Sequence, residues 1–353
     1  MKKDSMNIRV KKEIVHFFDE VADVRIVSTA NNFSLYEKGK ETQISVKLSV
    51  AKAFAKSSRL LRRLLRLDKS NVYPVIKGSS VQCLIIIYQG KVYRWTKDKG
   101  VIQVLEMDDC RNVMHNAITE SSNGDIYFGE YGSNKDRSHP VHVFRSVDQG
   151  ETWQVVFSFP AGKIKHIHNV QWDPFSKSIW VSTGDLDGES YLLQANEDFT
   201  SLRWYGDGTQ KWRTCHLFFT ENSVVWGMDS PLAQCKLLKM DRHTEKLTEL
   251  GDLSGPAWYG KKFTDVGYFL STSVEPGINC EDNKSKIYFS KDLENWKVCF
   301  AAPKDRYHPV FFKFGSIFFS GGSERSFYVG FEALKGYDGK VFHISELGDK
   351  LDY

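Results

Sequence analysis

GDIYFGEYGSNKDRSHPVHVFRSVDQGETWQVVF (residues 124–157) and, a short link later, KHIHNVQWDPFSKSIWVSTGD (residues 165–185) decide the fold of this chain. Each contains apolar runs of strand length, IYF and IWV, that end in small and polar residues. Between two alternating stretches of the first run lies Ser146-x-Asp148-x-Gly150-x-Thr152-Trp153. Asp and Gly suit a tight turn there, because Gly takes positive φ and an Asp carboxylate can cap backbone amides. The same runs gather Glu130, Tyr131, Asn134, Arg137, His139, His166, His168 and Asp185, so they also indicate where chemistry could sit.

Working outward, the pattern of IYFGEYG recurs in Ser178-IWVSTGD, Ser223-VVWGMDS, Gly267-YFLSTSVE and Ser316-IFFSGGSE, and more loosely in LIIIYQGKVYRW from Leu84. The starts are spaced by roughly 40 to 55 residues, the length of a four-stranded propeller blade. Val141–Ser146, residues 191–195, Lys236–Asp241 and residues 286–290 supply further strands, and Val24–Thr29 and residues 43–48 an earlier pair joined by a turn through SLYEKGKET. A short helix is possible near the start, in VKKEIVHFFDEV. An all-β propeller of six or seven blades is expected, with seven favoured, as one domain over residues 1–353. Radial repetition leaves only short, protected sheet edges.

Composition agrees. The chain has 353 residues, 41% hydrophobic and 26% charged, with 14% aromatic side chains, which favour strands. No apolar run reaches membrane-spanning length, and the first residues lack the apolar core of a secretory signal. The six cysteines, Cys83, Cys110, Cys215, Cys235, Cys280 and Cys299, are scattered without a CxxC pair, which suits buried free thiols and a cytoplasmic setting. Residues 49–67 break the β pattern. They carry Lys52, Lys56, Arg59, Arg62, Arg63 and Arg66 and no acid, a charge of +6 against +4 for the whole chain, which leaves −2 elsewhere. The protein is therefore not a general nucleic-acid binder. Five of those cations fall on one stripe of a helix, which predicts an inserted basic amphipathic helix. Its leucines would pack on the sheets with a solvated basic face, or the segment would lie on an anionic membrane surface at the inner membrane face.

The turn at Ser146–Trp153, with its degenerate copy SKDLENW (Ser290, Asp292, Trp296), resembles the Asp-box or BNR repeat of sialidase-like propellers. In that family the turn is structural, so Asp148 and Trp153 are not read as catalytic. If the recurrent segments are equivalent strands around the axis, their tails (Glu130 and Tyr131, Thr183 and Asp185, Asp229, Thr272 and Glu275, Ser320 and Glu324) share one mouth. His166 and His168, two residues apart, then face one side of a strand. They could be metal ligands, an acid/base pair or a packed polar pair, and no metal set is assigned, because a third ligand is not visible in the spacing. Arg137, Arg213 and Lys304 suit a carboxylate, and Trp212 and Tyr259 could stack on sugar rings.

Residues 124–277 further resemble BNR-type propellers of bacterial polysaccharide pathways, and the architecture is similar to that of seven-bladed polysaccharide lyases such as the ulvan lyases. True sialidases are a poorer match, since Arg25-Ile26-Val27 lacks their proline. The lyase resemblance implies β-elimination on an acidic, uronate-type oligo- or polysaccharide. Arg213 or Arg137 would neutralise the carboxylate, His168 or His139 would act as base, and Tyr131 or Tyr259 as acid. Glu130, Asn134, His166, Asp185, Trp212, Asp229, Glu275 and Lys304 would bind substrate. A glycan-modifying or transferring enzyme of capsule or exopolysaccharide assembly, or a propeller that only binds glycan or protein, would use the same mouth.

Overall fold

The computed structural model describes residues 8–9, 13–108, 110–278 and 282–345. Seven antiparallel sheets follow one another along the chain, each a propeller blade: residues 14–45, 70–106, 118–159, 166–208, 217–252, 257–303 and 316–345. Within each blade neighbouring strands in sequence are neighbours in the sheet, from the axis outward. Blade 7 takes Ile8–Arg9 as its outermost strand, with Ile8 opposite Phe342, and Gly321–Gly322 runs parallel to Phe17–Phe18 of blade 1. Both pairings join the first and last parts of the ring, so no sheet edge is left facing the gap.

Sheets covered on both faces read as continuous apolar runs rather than alternating ones. The second strands show this most clearly: Ser178–Gly184 and Ser223–Gly227 are buried at every position. Their side chains form clusters between blades, such as Trp180 and Tyr205 of blade 4 with Trp226 of blade 5 and Leu270 of blade 6. Four of the recurrent segments of the sequence are these second strands; only Ser316–Phe319 is an innermost strand. The axis is lined instead by more polar strands, His166–Asp173 and Ser70–Lys77 among them.

The two turn signatures join third to outermost strands, in blades 3 and 6. Asp148 accepts hydrogen bonds from Thr152 N (2.9 Å), Thr152 Oγ1 (2.6 Å) and Ser146 Oγ (2.8 Å), while Trp153 packs edge-on against Phe128. Asp292 caps Glu294 N and Asn295 N in the same way. A third turn of this kind, Asp198 accepting from Thr200 N and Oγ1, closes blade 4.

Three sequence expectations change. VKKEIVHFFDEV is not helical where described: Ile14–Asp19 is the innermost strand of blade 1, and residues 10–12 lie outside the described residues. The expected turn through SLYEKGKET contains the strand Asn32–Glu37 and the start of Lys40–Ser45. The basic insert is not one helix but Val50–Ala53, a 3-10 turn Phe54–Ser57 and Arg59–Leu64. Its polarity is also inverted. Arg62 and Arg63 are buried, while Phe54, Leu64 and Leu65 are exposed. Arg59 and Arg62 pair with Asp68, at 2.6 and 3.0 Å, and Arg63 reaches Asp305 at 2.6 Å and the Phe312 carbonyl at 3.0 Å. The Arg63 pairs clamp the insert to the link that precedes blade 7, because removing the partner of a buried guanidinium would leave an uncompensated charge. Five of the cysteines are free, four of them buried, and Cys280 lies outside the described residues. No helix among the described residues is long and apolar enough to cross a membrane.

Candidate functional site

First strands begin, and second strands end, at one face of the ring, and a cavity of about 240 Å³ opens there. Tyr131, Asp185, Asp229 and Glu275 reach it from the ends of the second strands, as the convergence of polar tails implies. Arg213 and Tyr259 join them from the segments leading into or opening blades 5 and 6. Their side chains do unequal things. The Arg213 guanidinium is already paired: it meets Asp185 Oδ1 at 3.1 Å and the Asp185 carbonyl at 2.8 Å, and its Nε lies 3.4 Å from Asp229 Oδ2 without a hydrogen bond. Asp229 also accepts from Trp258 Nε1 at 2.9 Å and from the Cys215 thiol at 3.2 Å. Lys165 pairs with the other oxygen of Asp185.

Behind Tyr131, the His166 ring lies 4.2 Å away between centroids, and His168 follows at 6.1 Å. Both imidazoles are buried, His168 with 1% of its surface exposed. The ladder between His166–Asp173 and Ser178–Gly184 shifts register between Ile167 and Asn169, so His168 is the bulged residue. Bulges re-aim a side chain at the expense of one pairing. Nδ1 of His166 donates to the Gly132 carbonyl at 3.0 Å. Burial, ahead of every other influence, pushes the His166 imidazolium down to about 4.

Two groups in the cavity are displaced toward neutrality from opposite sides. Lys69 precedes the first strand of blade 2, and its ammonium rests 4.6 Å over the Tyr131 ring. Burial, with Lys313 and Arg66 as like-charged neighbours, pushes it down to about 7. Glu275 is pushed up to about 8 by burial and the nearby Asp229 carboxylate. Lys69 was not legible as a site residue, since it falls in the short link between the basic insert and the first strand of blade 2, outside every recurrent segment. Arg66, Lys313 and Glu332 line the same cavity and were likewise missed, and Trp258 lines it beside Tyr259.

Other expected residues are elsewhere. Glu130, Asn134 and His139 line a separate groove of about 180 Å³ between blades 2 and 3. There Glu130 accepts from His142 N at 2.8 Å, and its carboxyl is pushed up to about 7, chiefly by burial. Arg137 is bound by Glu189 through two bonds of 2.6 and 3.0 Å. Trp212 packs on Trp226, 5.4 Å between centroids, in the core. Lys304 is buried against Asp305 and donates to the Tyr307 carbonyl at 2.9 Å. Glu324 lies at the opposite end of the axis, in a second cavity of about 430 Å³ that includes Gln171, His216 and Lys261.

No family model matches the chain, and no curated protein matches it. Solved structures do match, as β-propellers. YCF48 bound to a D1 peptide superposes with a TM-score of 0.56 at 12% identity, over 98% of this chain and 96% of that one. An oligogalacturonate lyase in complex with manganese gives 0.52 at 10% identity, over 93% and 87%. The GH74 enzyme of Niastella koreensis gives 0.50 at 11% identity, over 80% of this chain and 44% of that enzyme. At these identities the likeness shows the fold.

Proposed function

We propose that this propeller acts on acidic, uronate-type saccharides in its axial cavity by β-elimination. The observation that carries the proposal is the convergence in one cavity of Lys69, seated 4.6 Å over the Tyr131 ring, and Glu275, where burial pushes the lysine down to about 7 and the carboxyl up to about 8. Opposed displacements of that kind assign a base and an acid that both work near neutral pH. Lys69, as the free amine, takes the proton from C5 of the uronate. The C–H electron pair becomes the C4–C5 double bond, the C4–O4 bond breaks, and the Glu275 carboxyl gives its proton to the departing O4. Arg66 and Lys313 hold the sugar carboxylate, which stabilises charge as it develops at C5. Tyr131, Tyr259 and Trp258 offer ring faces to the pyranose. The sequence-derived roles of His168 and Arg213 move to support, because the imidazole is enclosed and the guanidinium is already paired with Asp185. Two propellers of similar fold are carbohydrate-active by their descriptions, an oligogalacturonate lyase and a GH74 enzyme, which agrees with this assignment. The Asp148 and Asp292 turns support a place among Asp-box propellers.

Incubation with a panel of uronate-containing oligosaccharides, followed by the ultraviolet absorbance of the unsaturated product, tests the proposal. Product from at least one glycan, lost in Glu275→Gln, is expected. Binding without product across the panel would leave a recognition propeller instead. A cytoplasmic place at the inner membrane face, in polysaccharide assembly, is favoured by one observation. Phe54, Leu64, Leu65, Val310 and Phe311 are exposed on segments packed together near Lys56, Arg66 and Arg306. Apolar side chains ringed by cations suit an anionic bilayer surface. Flotation with anionic vesicles, reduced by salt and by Phe311→Ser, checks it; equal flotation with neutral vesicles would count against it.

A further inference from the structure

We infer that His166, His168 and Asp185 form a binding site for one first-row divalent transition ion, of the tetrahedral zinc type. The inference concerns atoms behind the cavity wall and does not depend on the saccharide chemistry proposed above. Nε2 of His166 and Nε2 of His168 are 3.1 Å apart, and Oδ1 of Asp185 is 3.3 and 3.4 Å from them. Three potential ligand atoms thus form a nearly equilateral triangle. Metal bonds of about 2.0–2.1 Å at tetrahedral angles put neighbouring ligand atoms about 3.3–3.4 Å apart, which is the size of this triangle.

The protonation of the two rings shows why the gap calls for a cation. A carbonyl only accepts, so the bond from His166 Nδ1 to the Gly132 oxygen fixes the hydrogen on Nδ1 and leaves Nε2 as a bare lone pair. Nδ1 of His168 has no hydrogen-bond partner and lies 3.6 Å from Asp229 Oδ2, a pure acceptor, so a hydrogen placed there meets no competing donor. Both Nε2 lone pairs then point at each other and at a carboxylate oxygen, with both rings buried. A single proton does not resolve the arrangement, because an N–H can be directed at only one corner of a triangle. One ion bonded to all three corners does.

The surroundings have the form of a metal site's outer shell. His166 has the Gly132 carbonyl behind its distal nitrogen, which fixes its tautomer and ring orientation, and His168 has the Asp229 carboxylate 3.6 Å behind its own. Asp185 is held by Lys165 on Oδ2 and by Arg213 on Oδ1. A carboxylate oxygen has more than one lone-pair direction, so Oδ1 can accept from Arg213 and still face the ion. The bulge at His168 gives up regular pairing to bring the two imidazoles to one side. Asp185 also lines the cavity, so the ion's fourth corner is available to water or to an anionic oxygen of a ligand.

The test is a cobalt(II) titration of the chelator-treated full-length protein, read by visible absorption and by metal content. Expected are one equivalent of tightly held Co²⁺, the intense d–d bands of a tetrahedral site, and displacement by Zn²⁺. His166→Ala and Asp185→Asn should each weaken binding by about 100-fold or more, beyond the usual effect of outer-shell changes. Cys215→Ser should leave the spectrum unchanged. Cys215 matters because His168, Cys215 and Asp229 form a second possible group on the other side of the same ring. Loss in Cys215→Ser with retention in Asp185→Asn would move the ion there and overturn the assignment. So would the absence of saturable binding to the wild-type protein, a result that does not depend on any variant folding.

Discussion

Lys69→Met is the perturbation that separates a catalytic lysine from a structural one. In the wild type, turnover requires Lys69 without its proton and Glu275 with its proton. With values of about 7 and about 8, kcat/KM should be bell-shaped with a maximum near pH 7.5, and should fall about sevenfold by pH 6 and again by pH 9. Lys69→Met keeps the length of the stem over Tyr131, removes the base, and should lower kcat/KM by about 10²–10⁴-fold while abolishing the acid limb. Stability should move the other way. An unfolded lysine keeps its proton to about pH 10.4, so between roughly 7 and 10 the unfolded chain binds more protons and Lys69 makes stability rise with pH. The cost of the buried ammonium is therefore complete below about pH 7 and gone above about pH 10. Since the cavity admits water, that cost is on the order of 2 kcal/mol, less than full burial would impose. Lys69→Met should raise Tm by a few degrees at pH 6 and leave it unchanged near pH 10. Melting curves at the two pH values need no substrate. A variant that is less stable at pH 6, or one that keeps turnover within about threefold of wild type, would refute the role given to Lys69.

Three further substitutions test the frame around the cavity. Arg63→Ala removes a guanidinium with 2% of its surface exposed and strands the Phe312 carbonyl, while Asp305 retains Lys304. A loss of about 3 kcal/mol in urea unfolding is expected, and a loss below about 1 kcal/mol would mean the insert is not clamped by this pair. Asp148→Ala deletes the acceptor of three turn bonds and should cost about 1–2 kcal/mol at pH 7 with no change in turnover. Those bonds outweigh its partial burial and hold its carboxyl below the usual range, so the difference from wild type should persist down to that range and shrink only as pH falls through and below it. Gly260→Ala would place a methyl 2.1 Å from His216 Cδ2 and 2.6 Å from Phe218 Cζ, so about 1–3 kcal/mol should be lost at the far end of the axis, read as a lower Tm.

The blades were legible because the second strands are enclosed on both faces and so repeat as apolar runs at blade spacing. That same enclosure misled the assignment of the axis. The strands nearest the axis carry polar positions such as His166, His168, Asn71 and Gln171, and SNVYPVIK or HIHNVQWD has no repeat to announce it. The tails of the second strands reached the mouth all the same, because a second strand ends on the face where the first begins. Asp185, Asp229 and Glu275 could thus be placed from sequence while the strand that carries them was misplaced by one.

The cationic side of the cavity is a different matter. Lys69 and Arg66 come from the link between blades 1 and 2, and Lys313 from the link before blade 7. Their meeting depends on the insert folding under the blade 7 loops, through Arg59 to Asp338 at 3.2 Å and Arg63 to Asp305. Helical periodicity gave those arginines to solvent, since a periodic stripe of charge has no local sign of a partner roughly 240 residues away. Once they are turned inward, the consequence for Lys69 is electrostatic. The acids of the insert's surroundings, Asp68, Asp305 and Asp338, are occupied by arginines, so Lys69 is left facing Lys313 and Arg66 with Tyr131 beneath it. The low proton affinity of Lys69 thus comes first from burial, with repulsion from Lys313 and Arg66 added and Glu332 opposing it. If the clamp contributes, Arg63→Ala in protein that remains folded should loosen the insert, admit more water around Lys69 and shift the acid limb of the pH profile upward; an acid limb unmoved from about 7 would show that the clamp contributes nothing.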